Sequence, residues 1–269
     1  MNILLLGDII GPSGRKAIVE KLPEIIKKKK IDFVIVNGEN AGDAGVGIKK
    51  KHFDEFLKAG ADVVTTGNHI WDEKETMEFI TLEKRLLRPQ NLIQGSPGNG
   101  YGIFNSKKNK KVAVVNLMGN VFMKKSEDVF QEAKKFIQTV KLKKDADFII
   151  VDMHGEITSE KMAMGYLFDG KATMVAGTHT HVPTADHRIM EKGTAYQTDL
   201  GMCGDYESVI GMNRENSLKK FLKDPSAKKH FPALGEATIS GLMVIADNKT
   251  GLALKISPIV LGKHLENRI

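Results

Sequence analysis

Short apolar runs alternate with amphipathic stretches from the first residues onward. Asn2 to Leu6 is an apolar run that ends in Gly-Asp. Pro12 to Lys29 follows with helical spacing, its apolar stripe carried by Ala17, Ile18, Leu22, Ile25 and Ile26. Phe33 to Val36 is the next buried run. Lys50 to Ala59 places Phe53, Phe56 and Leu57 on one helical face, and Ala61 to Thr65 gives a third strand. The second half repeats the theme more loosely. Lys111 to Leu117 and Asp147 to Asp152 read as strands around a helix at Val129 to Val140, and Thr173 to Ala176 as another short strand. Hairpin-like segments close the chain: Thr184 to Met190, Gly193 to Thr198, Glu236 to Ala246 and Leu252 to Ile259, with Asp247, Asn248 and Gly251 at the last turn. Pro89 to Gly102, rich in Pro, Gly and Asn, reads as loop. Strands alternating with helices predict an α/β protein with mostly parallel sheet. The internal echo predicts two sheets packed together with helices outside. No composition shift marks a linker, so residues 1–269 read as one domain.

The ends of these predicted strands share a chemistry. Asp8 follows the first, Glu39 and Asn40 the second, and Asn68 and His69 the third. Asp152 and His154 end the strand near 150, and His179 and His181 follow the one near 175. Carboxyl ends of parallel strands converge on one edge of an open α/β sheet, where ligands bind. Each residue has an ordinary alternative reading. Asp8 could cap a helix, Asn68 could sit in a left-handed turn, and His154 could be a hydrogen-bonded core histidine. Five such coincidences are harder to accept than one site. His179 and His181, two apart in an extended segment, are expected to project to the same side. Nitrogen and oxygen donors without thiolate suit manganese, iron, zinc or cobalt. Seven ligands exceed the needs of one ion with open positions and suit a pair about 3.5–4 Å apart with a bridging carboxylate.

In order and in context, these motifs resemble the calcineurin-like metallophosphoesterase superfamily: Gly-Asp, a second acidic motif, Gly-Asn-His, a lone His and Gly-His-x-His. Two departures stand out. Ile10 replaces the usual His of the first motif, and Asn-Gly-Glu39-Asn40 replaces the usual bridging aspartate. Both are the pattern of the YmdB-like bacterial phosphodiesterases. That group is also resembled by the opening Asn-Ile-Leu-Leu-Leu-Gly-Asp-Ile-Ile-Gly, by Thr-Gly-Asn-His-Ile-Trp-Asp and by Gly-Thr-His-Thr-His-Val-Pro-Thr-Ala-Asp, over essentially the whole chain. The resemblance implies a four-layer α-β-β-α sandwich, two mixed sheets flanked by helices. It implies that Asp8, Asn40 and His181 serve a first metal, that Glu39 bridges, and that Asn68, His154 and His179 serve a second. It further implies His69 as the general acid, with Asp72 a candidate to orient it. The two ions are expected to be iron or manganese, with zinc or magnesium open, and to acidify a shared water that attacks phosphorus. The expected substrate is a small phosphodiester, a cyclic nucleotide, with 2′,3′-cyclic forms favoured.

Composition adds limits. The net charge of +7 is mostly lysine, in runs such as Lys27 to Lys30 and Lys107 to Lys111 without interleaved aromatics. Such runs read first as solvated surface, and also as a field that draws anionic substrates, RNA among them. Competing readings are therefore a broader phosphatase or RNA nuclease, and a regulator binding RNA or protein with marginal catalysis. A homo-oligomer is expected only because many soluble enzymes form one. One cysteine, Cys203, permits no internal disulfide. No apolar run reaches about 18 residues, and the expected location is the cytoplasm. Cys203 reads as a packed thiol, Trp71 as core, Gly42 to Gly47 as a turn beside Glu39, and 197–204 as a segment that lines a pocket or makes a buried turn.

Overall fold

A computed structural model describes residues 1–269. Its elements in chain order are β1 (Asn2–Ile9), α1 (Gly11–Lys29), β2 (Phe33–Asn37), α2 (Lys50–Ala59), β3 (Val63–Thr65), α3 (Glu75–Phe79), β4 (Tyr101–Asn105), β5 (Lys111–Met118) and α4 (Val129–Thr139). They continue with β6 (Phe148–His154), α5 (Thr158–Phe168), β7 (Met174–Thr178), β8 (Arg188–Ile189), β9 (Ala195–Gln197), β10 (Met202–Cys203), α6 (Arg214–Phe221), β11 (Ile239–Ala246) and β12 (Ala253–Leu261). The first sheet runs β12-β11-β1-β2-β3 with β10 beside the end of β1, and the second runs β4-β5-β6-β7-β9-β8. Strands β1, β2 and β3 are mutually parallel, as are β5, β6, β7 and β9. The flanking strands β11, β12, β4 and β8 pair antiparallel. Both sheets are therefore mixed.

Alternation along the strands builds the layers. Ile3 and Leu5, Phe33 and Ile35, Val112 and Val114, and Phe148 and Ile150 meet in one core between the sheets. The intervening Leu4, Leu6, Val34 and Val36 pack under α1 and α2, against Ile18, Leu22, Phe53 and Phe56. On the far side Ala113, Val115, Ile149 and Val151 pack under α4 and α5, against Ala133, Phe136, Met164 and Phe168. Three cores between four layers make the expected α-β-β-α sandwich, because strands apolar on both faces must be covered on both.

The register of β1 breaks at one point. Pairing with β2 shifts between Leu6 and Asp8, so Gly7 is the extra residue of a bulge. Leu4 and Leu6 face the helices, but so does Ile9. Strict alternation would send Asp8 to the helix side with Leu4 and Leu6. The bulge turns it to the face between the sheets. A side chain at Gly7 is excluded because its Cβ would lie 2.0 Å from the Gly201 carbonyl oxygen.

Several expectations need correction. Of Thr184 to Met190 only β8 is strand. The Thr184 hydroxyl and the Asp186 carboxylate take up backbone and side-chain partners at Thr198 and Asp199 instead of a ladder. The loop expected through Gly102 ends earlier, at the start of β4, and its backbone is gathered by the Arg88 guanidinium on the carbonyls of Pro89, Gln90, Ser96 and Pro97. Helix α5 was not legible because its inward face carries Glu160 and Lys161. Helix α6 buries only Asn216 and Ser217, so it has no apolar stripe.

Candidate metal centre

The carboxyl ends of β1, β2, β3, β6 and β7 open on one cavity of about 290 Å³. Its lining includes Glu39, Asn40, His69, His179 and His181. Asp8, Asn68 and His154 complete the group from beneath. His154, last residue of β6 and fully buried, is the hub. Its Nε2 lies 2.8 Å from Glu39 Oε2, 3.0 Å from Asn68 Oδ1 and 3.1 Å from His179 Nδ1. Asp8 Oδ1 lies 3.8 Å from His154 Nδ1, and Asp8 Oδ2 accepts the His179 backbone N–H at 3.0 Å. Every residue expected at the site is brought to it. Glu39, His154 and His179 offer ligand atoms within 4.8 Å of one another.

Protons decide what this cluster can hold. The Thr178 hydroxyl donates to Asp152 Oδ1 at 2.7 Å and contacts His154 Nδ1 at 2.9 Å. Having given its proton to Asp152, that hydroxyl accepts from Nδ1–H, so Nε2 carries a lone pair. Nε2 therefore turns that lone pair toward the Glu39 carboxyl and the Asn68 carbonyl oxygen. His181 donates Nδ1–H to the Ile210 carbonyl at 2.8 Å, which leaves its Nε2 free. Asn40 donates its amide to the Gly45 carbonyl, and its Oδ1 is buried without a hydrogen-bond partner, as are Asp8 Oδ1 and Glu39 Oε2. Buried acceptors without donors are costly unless a cation satisfies them. The residues present fit metal ions.

The electrostatics agree. Burial pushes the Asp8 and Glu39 carboxyls up to about 7 in the metal-free protein, against the pull of His154 on Asp8 and of His69 and His181 on Glu39. Burial drives His154 down to about 3 and depresses His179 and His181, so all three rings are neutral at neutral pH and able to offer a lone pair.

Close approach dictates the glycine of Gly-Asn-His. A Cβ on Gly67 would lie 1.7 Å from Glu39 Oε2 and 2.3 Å from His154 Nε2. The histidine pair after β7 is not extended as expected. His179 has φ 102° and His181 φ 65°, both left-handed. They reach the cavity through a strained bend, and the ordinary side-to-side alternation of a strand plays no part. Asp199 holds that bend. It accepts from Thr180 N at 3.1 Å and from Lys161 Nζ at 2.7 Å, in an ion pair buried on both sides. Below the cluster, Asp152 accepts from Thr65, Thr178 and Asn37 and ties the two sheets together. Sequence reasoning did not assign Asn37, Thr65, Asp152, Thr178 or Lys161. Alternation could have found Asn37 and Asp152, which continue the inter-sheet faces of Phe33–Ile35 and Phe148–Ile150.

His69 sits on the cavity wall. Its Nδ1 is 2.6 Å from Asp72 Oδ2, the partner expected from sequence, and Asp72 Oδ1 binds Lys124 at 3.1 Å. Burial works against the Asp72 carboxylate, but His69 and Lys124 hold it below the usual range. Cys203 is buried beside β1, its thiol pushed up to about 12, which makes it a packed thiol and no nucleophile. Trp71 packs against the first core. Gln197 lies on a different cavity, with Pro183 and Pro258, and does not reach the metal cluster.

A sandwich in which both sheets deliver carboxylate, amide and imidazole donors to one cavity is of the metallophosphoesterase type. The chain belongs to the YmdB-like protein family, whose profile matches residues 4–259. It is 42% identical to the 2′,3′-cyclic-nucleotide 2′-phosphodiesterase of Bacillus subtilis, over 97% of each chain. It is 38% identical to a putative phosphatase/phosphodiesterase of Mycoplasma genitalium, over 96% of this chain and 92% of that one. Among solved structures, a hypothetical protein of Thermus thermophilus superposes with a TM-score of 0.89 at 36% identity, covering 98% of this chain and 100% of the other. A structure described as a novel phosphatase of Mycoplasma pneumoniae gives the same TM-score and identity, covering 97% and 93%.

Proposed function

We propose that this protein is a phosphodiesterase with a two-metal centre that hydrolyses cyclic nucleotides, with 2′,3′-cyclic forms favoured. The observation that carries the reading is the cluster around His154 Nε2, where Glu39 Oε2, Asn68 Oδ1 and His179 Nδ1 gather at 2.8, 3.0 and 3.1 Å. The name of the Bacillus subtilis relative supports the substrate class. Residues 1–269 act as one catalytic domain, since strands of both sheets reach the same cavity.

Asp8, Asn40 and His181 would hold one ion, Asn68, His154 and His179 the other, and Glu39 would bridge. The oxygen-rich first set, in which Ile10 supplies no donor and Asn40 an amide oxygen, tilts that site toward iron, manganese or magnesium over zinc. Bound there, such ions would supply Lewis acidity toward phosphoryl oxygens and a water acidified to near neutrality. The remaining work falls to the protein. Asp72 receives Nδ1–H of His69 and fixes the ring, so Nε2 is the nitrogen that can carry a proton into the cavity. That proton goes to the departing ribose oxygen as its bond to phosphorus breaks. Lys124 neutralises Asp72 and keeps it aimed. The net charge of +7 draws an anionic substrate inward. We place the reaction in the cytoplasm. Cys203 is a free thiol, and no helix is long and apolar enough to cross a membrane.

The test is a substrate panel with metal content measured on the same samples. It holds 2′,3′- and 3′,5′-cyclic nucleotides, a generic phosphodiester, a phosphomonoester and short RNA. The wild type should turn over 2′,3′-cyclic nucleotides best. His69→Ala should keep both ions and lose about 10²–10⁴-fold in rate. Undiminished turnover in His69→Ala would remove the acid assignment, and preference for RNA or monoesters would move the substrate class.

A further inference from the structure

We propose that Glu156 is a positioning residue that sets the tautomer of His179 and thereby the affinity of one of the two metal ions; this rests on the metal-site reading above. Each histidine of the cluster turns one nitrogen inward and needs a partner for the other. For His154 the partner is the Thr178 hydroxyl, backed by Asp152, and both are fully buried. For His181 it is the backbone carbonyl of Ile210. His179 differs. Its Nδ1 faces His154 Nε2 at 3.1 Å, and its Nε2 lies 3.2 Å from Glu156 Oε2. Glu156 follows β6 and Gly155 and forms part of the cavity wall, its side chain 50% exposed.

A carboxylate beside Nε2 selects the tautomer that carries its proton there. That leaves the Nδ1 lone pair inward, where a ligand is needed. The carboxylate also makes the imidazole a better donor. The two meet at ion-pair distance, so the carboxylate acts on the ring through its charge. Of the three outer partners, Glu156 is the one that is itself a charged side chain, half exposed at the cavity wall. Its removal should therefore act on the ion held by His179 and spare the ion held by Asp8, Asn40 and His181.

The experiment is a manganese titration of metal-stripped wild type, Glu156→Ala and Glu156→Gln, followed by calorimetry. The tautomer of His179 is read in the metal-free proteins by nitrogen-15 NMR of the imidazole. The expected result for Glu156→Ala is a loss of about 10- to 100-fold in affinity for one ion, with the other unchanged. Its His179 should lose the strong preference for the Nε2–H form. Glu156→Gln, whose amide oxygen can still accept from Nε2–H, should recover part of both. Equal thermal unfolding of all three proteins in chelator would confirm that the fold is intact. Unchanged metal affinities in Glu156→Ala, or equal weakening of both ions, would overturn the proposal. A wild type that binds no manganese would instead overturn the metal-site reading on which it stands.

Discussion

Single atoms decide this site. Gly67 has ordinary backbone geometry, so the reason for glycine is space alone: a Cβ there would fall on Glu39 Oε2 and His154 Nε2. Gly67→Ala should therefore fold and lose most of its bound metal, measured by elemental analysis after dialysis. Retention of two ions would show that the cluster can open and that the close approach is not required. At this scale the sequence was informative about donors and silent about their supports. Asp8, Glu39, Asn40, Asn68, His154, His179 and His181 stand out because each follows a strand. Asp152 is legible only as one more carboxylate at a strand end, without a role, and Thr178 as an ordinary strand residue. Their role comes from a hydrogen bond between neighbouring strands that only the register of β6 against β7 reveals, where Asp152 pairs with Ala176 and His154 with Thr178.

Elements aim these atoms by departing from regularity. The bulge at Gly7 turns Asp8 from the helix side to the inter-sheet face, and the left-handed bend after β7 swings His179 and His181 into the cavity. Neither departure was legible. Alternation would point Asp8 away, and the two histidines were expected on an extended segment. They converge for a different reason. The bend is held by Asp199, which Lys161 of α5 neutralises in a pair 1% exposed on both sides. Lys161→Met should destabilise the protein by about 3–5 kcal/mol, because it leaves a carboxylate buried and unpaired. Urea unfolding would measure it. A loss below about 1 kcal/mol would mean that the Thr180 and Gly201 amides suffice for Asp199. The buried lysine also explains why α5 was missed: a charged residue on the inward face breaks the apolar stripe by which helices are recognised.

At the scale of the molecule, the four layers were legible because strands apolar on both faces allow little else, while the order of strands was not. The pairing of β11 with β1 joins residues more than two hundred apart, and no local pattern records it. The whole fold also couples metal to protons. Burial raises the Asp8 and Glu39 carboxyls to about 7, so below that pH the metal-free protein holds protons that an ion must displace. Metal affinity should fall as pH drops through 7, and loading near pH 6.5 should release protons. Calorimetry in two buffers of different ionisation enthalpy would show the release, and identical heats would contradict it. His154 and His179 are already neutral there and contribute no protons. Without metal, the raised carboxylates favour the fold at acid pH and lose that contribution as pH rises through 7. The depressed histidines oppose them, losing theirs as pH falls below the ordinary histidine range. Proton release on loading is therefore the cleaner readout. The central claim is that two ions in this cluster make the protein a cyclic-nucleotide phosphodiesterase, and it is tested most directly by turnover of a 2′,3′-cyclic nucleotide against equivalents of manganese or iron added to stripped protein. The account predicts no turnover without metal and a plateau at two equivalents. Two tightly bound ions without turnover, or full turnover in metal-free protein, would contradict it.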